Sequence, residues 1–157
     1  MTWRVARSLD QLLRQINILY PNRDISSDGG IGNEEHQSRS SDHNPWVWNK
    51  VEKKWIVTAR DFTNDPIHHV MSRELAHSLI DSRDERIKYV IANGQICSGA
   101  EQDKPAWVWR RYVGKNPHDH HFHVSVRSSV NFYDDVSPWR FKAQPAPPEV
   151  QNILVPR

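Results

Sequence analysis

Two hydrophobic periodicities alternate along the chain, and they predict helices and strands in turn. Apolar residues at helical spacing predict a helix over residues 8–19, with Ser8 as its N-cap. A second helical pattern predicts a helix over residues 66–82, with Asp65 as its cap and Pro66 in its first turn. Both helices are expected to pack on one side of a sheet, because each has a single apolar face.

Strand-type alternation occurs in two hairpins and in one later segment. The predicted strands are residues 46–48 and 55–59, residues 87–92 and 95–98, and residues 122–126. Asn93-Gly94 supplies the turn of the second hairpin, and the first hairpin continues into Arg60-Asp61-Phe62. The expected fold class is therefore α+β, with an antiparallel sheet and helices packed on one side of it.

The chain of 157 residues is long enough for one domain with a substantial core. We predict this domain over residues 1–142 and a Pro-rich, extended tail over residues 143–157. The last four residues, Leu154-Val155-Pro156-Arg157, match the remnant of a thrombin cleavage site and are excluded from the fold. No apolar run is long enough for a membrane span, and the chain is expected to be a monomer.

Composition changes this picture only in part. The net charge of +2 is too small to predict nucleic-acid binding, and an anionic polymer such as a bacterial cell wall suits it equally well. Seven tryptophans are many for this length, and they belong either to the core or to a groove. No apolar segment follows the charge at the start of the chain, so we predict synthesis in the cytoplasm without a signal peptide.

The most informative stretch for chemistry is the histidine-rich segment over residues 118–126. Four of the nine histidines fall within its first six positions. Because alternate side chains on a strand share a face, His121 and His123 are expected to point the same way, with Phe122 on the opposite side. Two imidazoles on a rigid strand are typical of a metal site, and the alternative is a solvated His-rich edge.

A zinc site needs further ligands, and two more are predicted earlier in the chain. Asp61 ends an otherwise apolar strand, where a buried carboxylate needs a partner. That partner is either a metal ion or an arginine such as Arg60. His43 lies just before the first hairpin, and a hairpin brings its two ends together, so His43 and Asp61 are expected to meet.

Three short motifs, Ser41-x-His43, Ala59-x-Asp61 and His121-x-His123, together resemble the LAS zinc peptidases. That group includes D-alanyl-D-alanine carboxypeptidases, penicillin-insensitive murein endopeptidases and many bacteriophage endolysins. The closing block, residues 118–124, is most similar to the murein endopeptidases, and the resemblance covers most of residues 3–127. The chain differs from the family by a hairpin inserted between His43 and Asp61, and Asp42 and Asp65 are the alternative carboxylates.

The resemblance implies a zinc-dependent peptidoglycan hydrolase. It implies that His43, Asp61 and His123 bind Zn²⁺, a centre that lowers the pKa of water to about 7 and polarises an amide carbonyl. His121 and His118 are the first and second candidates for the catalytic acid–base residue, and His120 is a third. The implied substrate-binding residues are Arg39, Ser41 and Asn116, with Arg39 as a clamp for the carboxylates of peptidoglycan stem peptides.

The resemblance also implies that the protein acts on the cell wall after its own release from the cell or after holin-type export. Two alternatives remain at this point. The first is an HNH-type metal-dependent nuclease, suggested by Asp42-His43-Asn44-Pro45 and by Asn64-x-x-x-His68. The nuclease alternative does not account for the histidines over residues 118–123, and a nuclease would be expected to have a stronger basic patch. The second is a non-catalytic, zinc-containing module that binds the cell wall.

Overall fold

The computed structural model describes residues 2–30, 41–100 and 102–144. Three α-helices lie within these ranges: α1 (Arg7–Leu19), α2 (Ser72–Asp81) and α3 (Val130–Tyr133). The strands are β1 (Trp3–Val5), β2 (Val47–Asn49), β3 (Lys54–Val57), β4 (Ala59–Thr63), β5 (Ile87–Ala92), β6 (Gln95–Ser98), β7 (Trp109–Arg111) and β8 (His121–Val126). The α+β class is confirmed, and no described helix is long and apolar enough to cross a membrane.

Helix α1 forms where the spacing of leucine and isoleucine predicted it. Leu9, Leu12 and Ile16 are fully buried on its core face. The predicted N-cap is wrong, because Ser8 lies inside the helix and Ala6 takes the cap position without a side-chain hydrogen bond. The Ala6 N–H donates to the Val57 carbonyl at 2.9 Å, and this bond to β3 fixes where the helix begins.

The predicted helix over residues 66–82 is divided in two, so its continuity was wrong. Residues Pro66–His68 form a 3₁₀ turn, which ends at His69 with a left-handed φ of 67°. Asp65 and Val70 then exchange two backbone hydrogen bonds of 2.9 Å. This bridge closes the loop and forces the chain to start again as α2. Ile67, which the helical pattern placed on the apolar face, is 83% exposed for the same reason.

The strands form two sheets instead of one. A five-stranded antiparallel sheet has the order β4-β8-β5-β6-β7, and a three-stranded sheet has the order β1-β3-β2, with β1 parallel to β3. Both predicted hairpins form with antiparallel register. At Thr58 the chain leaves β3 and enters β4, so the strand that was predicted to run straight through changes sheet.

The two faces of the five-stranded sheet have different tasks. Phe62 and Phe122 stack at 5.1 Å between ring centroids on the core face, where both are fully buried with residues of α1 and α2. The paired positions Asp61 and His123 lie on the opposite face, because neighbours along a strand alternate. The sheet therefore has one apolar face, packed against the helices, and one polar face, which carries Asp61 and His123.

Candidate metal centre

The centre is built on two neighbouring strands. Asp61 on β4 lies directly opposite His123 on β8, and Thr63 lies opposite His121. Directly paired residues share a face of a sheet. His43 comes from the loop before β2, and its ring meets the ring of His123 edge to face, with centroids 4.8 Å apart. Three residues that are distant in sequence thus converge at one point, as predicted.

The three ligand atoms form a nearly equilateral triangle. His43 Nε2 lies 3.1 Å from His123 Nδ1 and 3.2 Å from Asp61 Oδ1, and the last two atoms are also 3.2 Å apart. A tetrahedral ion with bonds of about 2.0–2.1 Å would hold its ligand atoms ~3.3 Å apart. The triangle therefore has the dimensions of one face of a tetrahedral site, and this cluster could hold a metal ion.

Two further contacts orient the imidazoles. His43 Nδ1 donates to the Gly30 carbonyl at 2.6 Å, and since a carbonyl only accepts, the lone pair of a neutral His43 lies on Nε2. His123 Nε2 lies 2.7 Å from the Ser125 hydroxyl, which leaves Nδ1 for the ligand position. Metal-binding histidines are usually held in this way by the ring nitrogen that does not touch the metal.

The charges of the cluster are coupled. Burial by itself would raise the pKa of Asp61, but hydrogen bonds and charges of His123 and His43 hold it well below its usual range. Burial lowers the pKa of His43, but Asp61, the Gly30 carbonyl and the charge of Asp42 together raise it by more, so that its net shift is upward. Burial dominates at His123, whose pKa is lowered. The carboxylate therefore attracts a cation at neutral pH, and a proton and a metal ion compete for the same atoms.

A second pair of histidines lies next to Asp61, with His121 beside the other carboxylate oxygen and His118 beside His121. His121 Nε2 lies 3.5 Å from Asp61 Oδ2, and the rings of His118 and His121 meet edge to face at 4.9 Å. Burial, followed by the charges of His123 and His121, lowers the pKa of His118 to about 4. His118 is therefore neutral at pH 7, beside the three ligand atoms.

Asn116 holds the ring of His118. The backbone carbonyl of Asn116 accepts from His118 Nδ1 at 2.7 Å, and its side-chain Oδ1 accepts from the His118 N–H at 2.9 Å. The Nε2 atom of His118 is thus left as a proton acceptor. Asn116, predicted as a substrate contact, is placed by the structure as a support for a histidine.

The other predicted residues are placed as follows. The Ser41 hydroxyl accepts from the His43 backbone N–H at 3.2 Å and so shapes the loop that presents His43. The His120 side chain is 83% exposed and lies 3.6 Å from Asp119, away from the cluster. Arg39 lies outside the described residues.

The alternative carboxylates have other partners. Lys88 Nζ contacts both carboxylate oxygens of Asp42 at 2.9 and 3.0 Å. Asp65 accepts from the Asp24 backbone N–H at 2.7 Å and from His68 Nδ1 at 2.6 Å. Neither Asp42 nor His68 belongs to the two clusters with metal-ligand spacing found in the described part of the chain. Of the histidines and aspartates that suggested an HNH nuclease, His43 therefore belongs to such a cluster, and Asp42 and His68 do not.

Sequence reasoning missed three supporting residues. Ser125 lies two positions after His123, so strand alternation alone would have placed both on one face. The ring of Tyr89 stacks on the ring of His123 at 5.3 Å with an interplanar angle of 5°. Burial, together with the charge of Asp42, raises the pKa of Tyr89, which keeps its hydroxyl protonated. Gly30 acts through its backbone carbonyl, and no side-chain motif in a sequence predicts such a contact.

No family model, no curated protein and no solved structure matches this chain. The likeness to the LAS peptidases thus depends on the quoted motifs alone. The described residues supply two histidine and aspartate clusters that share Asp61 and that could bind metal.

Proposed function

We propose that the protein is a zinc-dependent peptidase that cleaves an amide bond in the stem peptides of peptidoglycan. The observation that carries the proposal is the triangle of His43, Asp61 and His123, with His121 beside the other oxygen of the same carboxylate and His118 next to His121. Two imidazoles and one carboxylate are a typical ligand set for catalytic zinc. The motif resemblance to the LAS peptidases supplies the substrate class.

In this proposal His43, Asp61 and His123 hold Zn²⁺. When bound, the ion supplies Lewis-acid chemistry, because it lowers the pKa of water and polarises a carbonyl. Ser125 and Gly30 keep the two imidazoles in the orientation that zinc requires. The side chains of Asp61 and His121 are each 14% exposed, more than those of His43 and His123, so substrate reaches the centre from the side of His121.

His121 and His118 transfer the proton in the proposed reaction. His118 is suited to accept a proton at Nε2, since its Nδ1–H is already donated to Asn116. His121 lies beside Asp61 Oδ2, where it is placed to stabilise negative charge on the substrate or to act as the base itself. A proton acceptor must be unprotonated, and His118 meets this condition at pH 7 because burial and the charges of His123 and His121 lower its pKa to about 4.

The test combines metal content with product analysis. Purified protein is incubated with peptidoglycan sacculi, with and without a chelator, and the released fragments are identified by mass spectrometry. We expect bound zinc and chelator-sensitive release of cleaved stem peptides, whose masses identify the bond. Bound zinc with intact sacculi would refute the substrate, and nuclease activity on DNA would then be measured.

A matched pair of variants tests the role of the second histidine pair. His121→Ala is expected to keep zinc and to lose most of the peptide release, because its ring lies beside the proposed ligands without belonging to them. His120→Ala removes a neighbouring, exposed histidine and is expected to behave as the wild type. Equal turnover of the two variants would transfer the proton-transfer role to His118.

A further inference from the structure

The three-stranded sheet carries a row of three tryptophans. Trp3 on β1 lies opposite Trp55 on β3, and Trp55 lies opposite Trp48 on β2. Directly opposed residues project from the same face of a sheet. The three side chains therefore lie side by side across all three strands, over two strand spacings of ~4.8 Å each. We call these three residues the tryptophan row.

The row faces solvent. Trp3 is 40% exposed and Trp48 is 49% exposed, whereas the opposite face of β3 contributes the fully buried Ile56 to the core. The rings of Trp48 and Trp55 are 5.0 Å apart at a tilt of 55°. Such large aromatic side chains are usually buried more fully, so an exposed row of them indicates a binding surface.

The row lies close to the candidate metal centre along the chain. Trp55 on β3 and Asp61 on β4 are six residues apart, on either side of the point where the chain changes sheet, and Val57 and Ala59 between them are fully buried. At ~3.3 Å per residue, the distance from Trp55 to Asp61 is at most ~20 Å.

Gly30 joins the two regions. A Cβ built on Gly30 would lie 3.0 Å from the side chain of Val5, which shares its face of β1 with Trp3. The carbonyl of Gly30 holds His43. Gly30 therefore lies between β1, which carries Trp3, and the proposed zinc ligand His43.

The size of the row argues against a second copy of the chain as its occupant. At ~250 Å² for each tryptophan side chain, the exposed parts of Trp3 and Trp48 amount to roughly 200 Å². A stable protein–protein interface buries ~800 Å² on each partner. A narrow row of π faces instead suits a chain of small, flat units with apolar faces. Pyranose rings fit this description, because their C–H bonds present partial positive charge to the negative face of an indole.

We propose that the tryptophan row binds the glycan strand of peptidoglycan, with consecutive sugar rings stacked on Trp3, Trp55 and Trp48. This inference rests on the proposed function, which selects a peptidoglycan glycan among linear sugar polymers. The row holds the strand to which the stem peptide is attached, and the peptide extends from it to Asp61. Lys50 and Lys53, exposed at the tip of the adjacent hairpin, supply donors for sugar and peptide oxygens.

The test measures the affinity of the full chain for sugars and changes Trp48, a position that can be substituted without disturbing the core because it is 49% exposed. N-acetylglucosamine oligosaccharides and peptide-free glycan strands are titrated in the presence of chelator, and binding is followed by calorimetry and by the NMR signals of the indole N–H groups. Trp48→Leu keeps an apolar side chain and removes the π face, whereas Trp48→Phe keeps an aromatic face. We expect Trp48→Leu to weaken binding about tenfold or more, and Trp48→Phe by about threefold or less.

Several outcomes would overturn the inference. Wild-type affinity in Trp48→Leu, or equal losses in the Leu and Phe variants, would show that ring stacking is not the mode of binding. A change of oligomeric state in Trp48→Leu without a change in sugar affinity would assign the row to contacts between copies of the chain.

The inference and the proposed function fail separately. Sugar binding without release of peptides from sacculi would refute the proposed peptidase activity and support sugar binding by the tryptophan row. Peptide release without sugar binding would support the peptidase activity and refute sugar binding by the row. If both hold, Trp48→Leu raises KM for sacculi more than Trp48→Phe does, because only the Phe variant keeps a ring on which a sugar can stack.

Discussion

Replacing Asp61 by asparagine is the sharpest test of the metal centre. The substitution keeps the shape of the side chain and removes the charge that lies between His43, His123 and His121. Asp61 supplies one of only three proposed ligands, so its loss should weaken zinc binding more than the loss of an outer contact, which costs about 10–100-fold. We therefore expect the Kd for zinc to rise by ~100-fold or more.

This change in affinity predicts a measurable difference in thermal stability. At a zinc concentration of about 100 times the wild-type Kd, binding stabilises the folded wild type by ~2.7 kcal/mol. The same concentration only equals the Kd of Asp61→Asn, so the variant gains ~0.4 kcal/mol. For a chain of this size, ~1 kcal/mol shifts Tm by about 2–4 °C. The zinc-induced shift is therefore ~5–11 °C in the wild type and ~1 °C in the variant.

The assay compares thermal unfolding of chelator-treated protein before and after zinc is added, and competition with a chromophoric chelator gives Kd directly. Asp42→Asn is the matched control, since Asp42 is the adjacent buried carboxylate and pairs with Lys88. It is expected to retain the zinc-induced shift even if its starting Tm is lower. A wild-type shift in Asp61→Asn, or an equal loss in Asp42→Asn, would refute the proposed ligand set.

Three further predictions concern the support of the site and the fold. Ser125→Ala should raise the Kd for zinc by about 10–100-fold, measured by chelator competition, because it removes the partner of His123 Nε2, and an unchanged Kd would contradict this role. Phe62→Ala should lower the free energy of unfolding in urea by ~3–5 kcal/mol, because the ring is fully buried against Phe122, and a loss below ~1 kcal/mol would show that the core is wrongly described. The hydrogen bond from Arg4, with further contacts from Arg7, lowers the pKa of Glu52 from 4.5 to about 2, so its stabilisation is present above pH 4.5 and is lost as the pH falls towards 2. Urea unfolding across this range should show a weaker pH dependence in Glu52→Gln than in the wild type, and identical slopes would rule out this ion pair as a source of acid sensitivity.

The fold could be predicted from sequence wherever a local pattern determined the structure. The leucines of α1 and the Asn93-Gly94 turn are signals of this kind, and both elements formed as expected. The failures occurred where distant contacts overrode a pattern. The Asp65–Val70 bridge interrupts a helical periodicity, and the Ala6–Val57 hydrogen bond starts α1 before its predicted cap.

The candidate site followed from sequence for similar reasons. Strand alternation placed His121 and His123 on one face, and the return of a hairpin brought His43 to Asp61. Contacts made by the backbone could not be predicted, because a carbonyl such as that of Gly30 carries no signature in the sequence. The different positions of Asp61 and Asp42 also required the structure, which shows Asp61 in contact with His43 and His123 and Asp42 paired with Lys88.

The hairpin between His43 and Asp61 explains how these two residues meet although many residues separate them. The Thr58 N–H donates to the Asp42 carbonyl at 3.2 Å, so the chain returns beside its starting point after residues 44–57. The separation of His43 from Asp61 is therefore set by this closure and by β4, and the length of the insertion does not affect it. The same insertion carries Trp48 and Trp55, two of the three members of the tryptophan row. The hairpin can therefore carry part of the proposed glycan site without changing the position of His43 relative to Asp61.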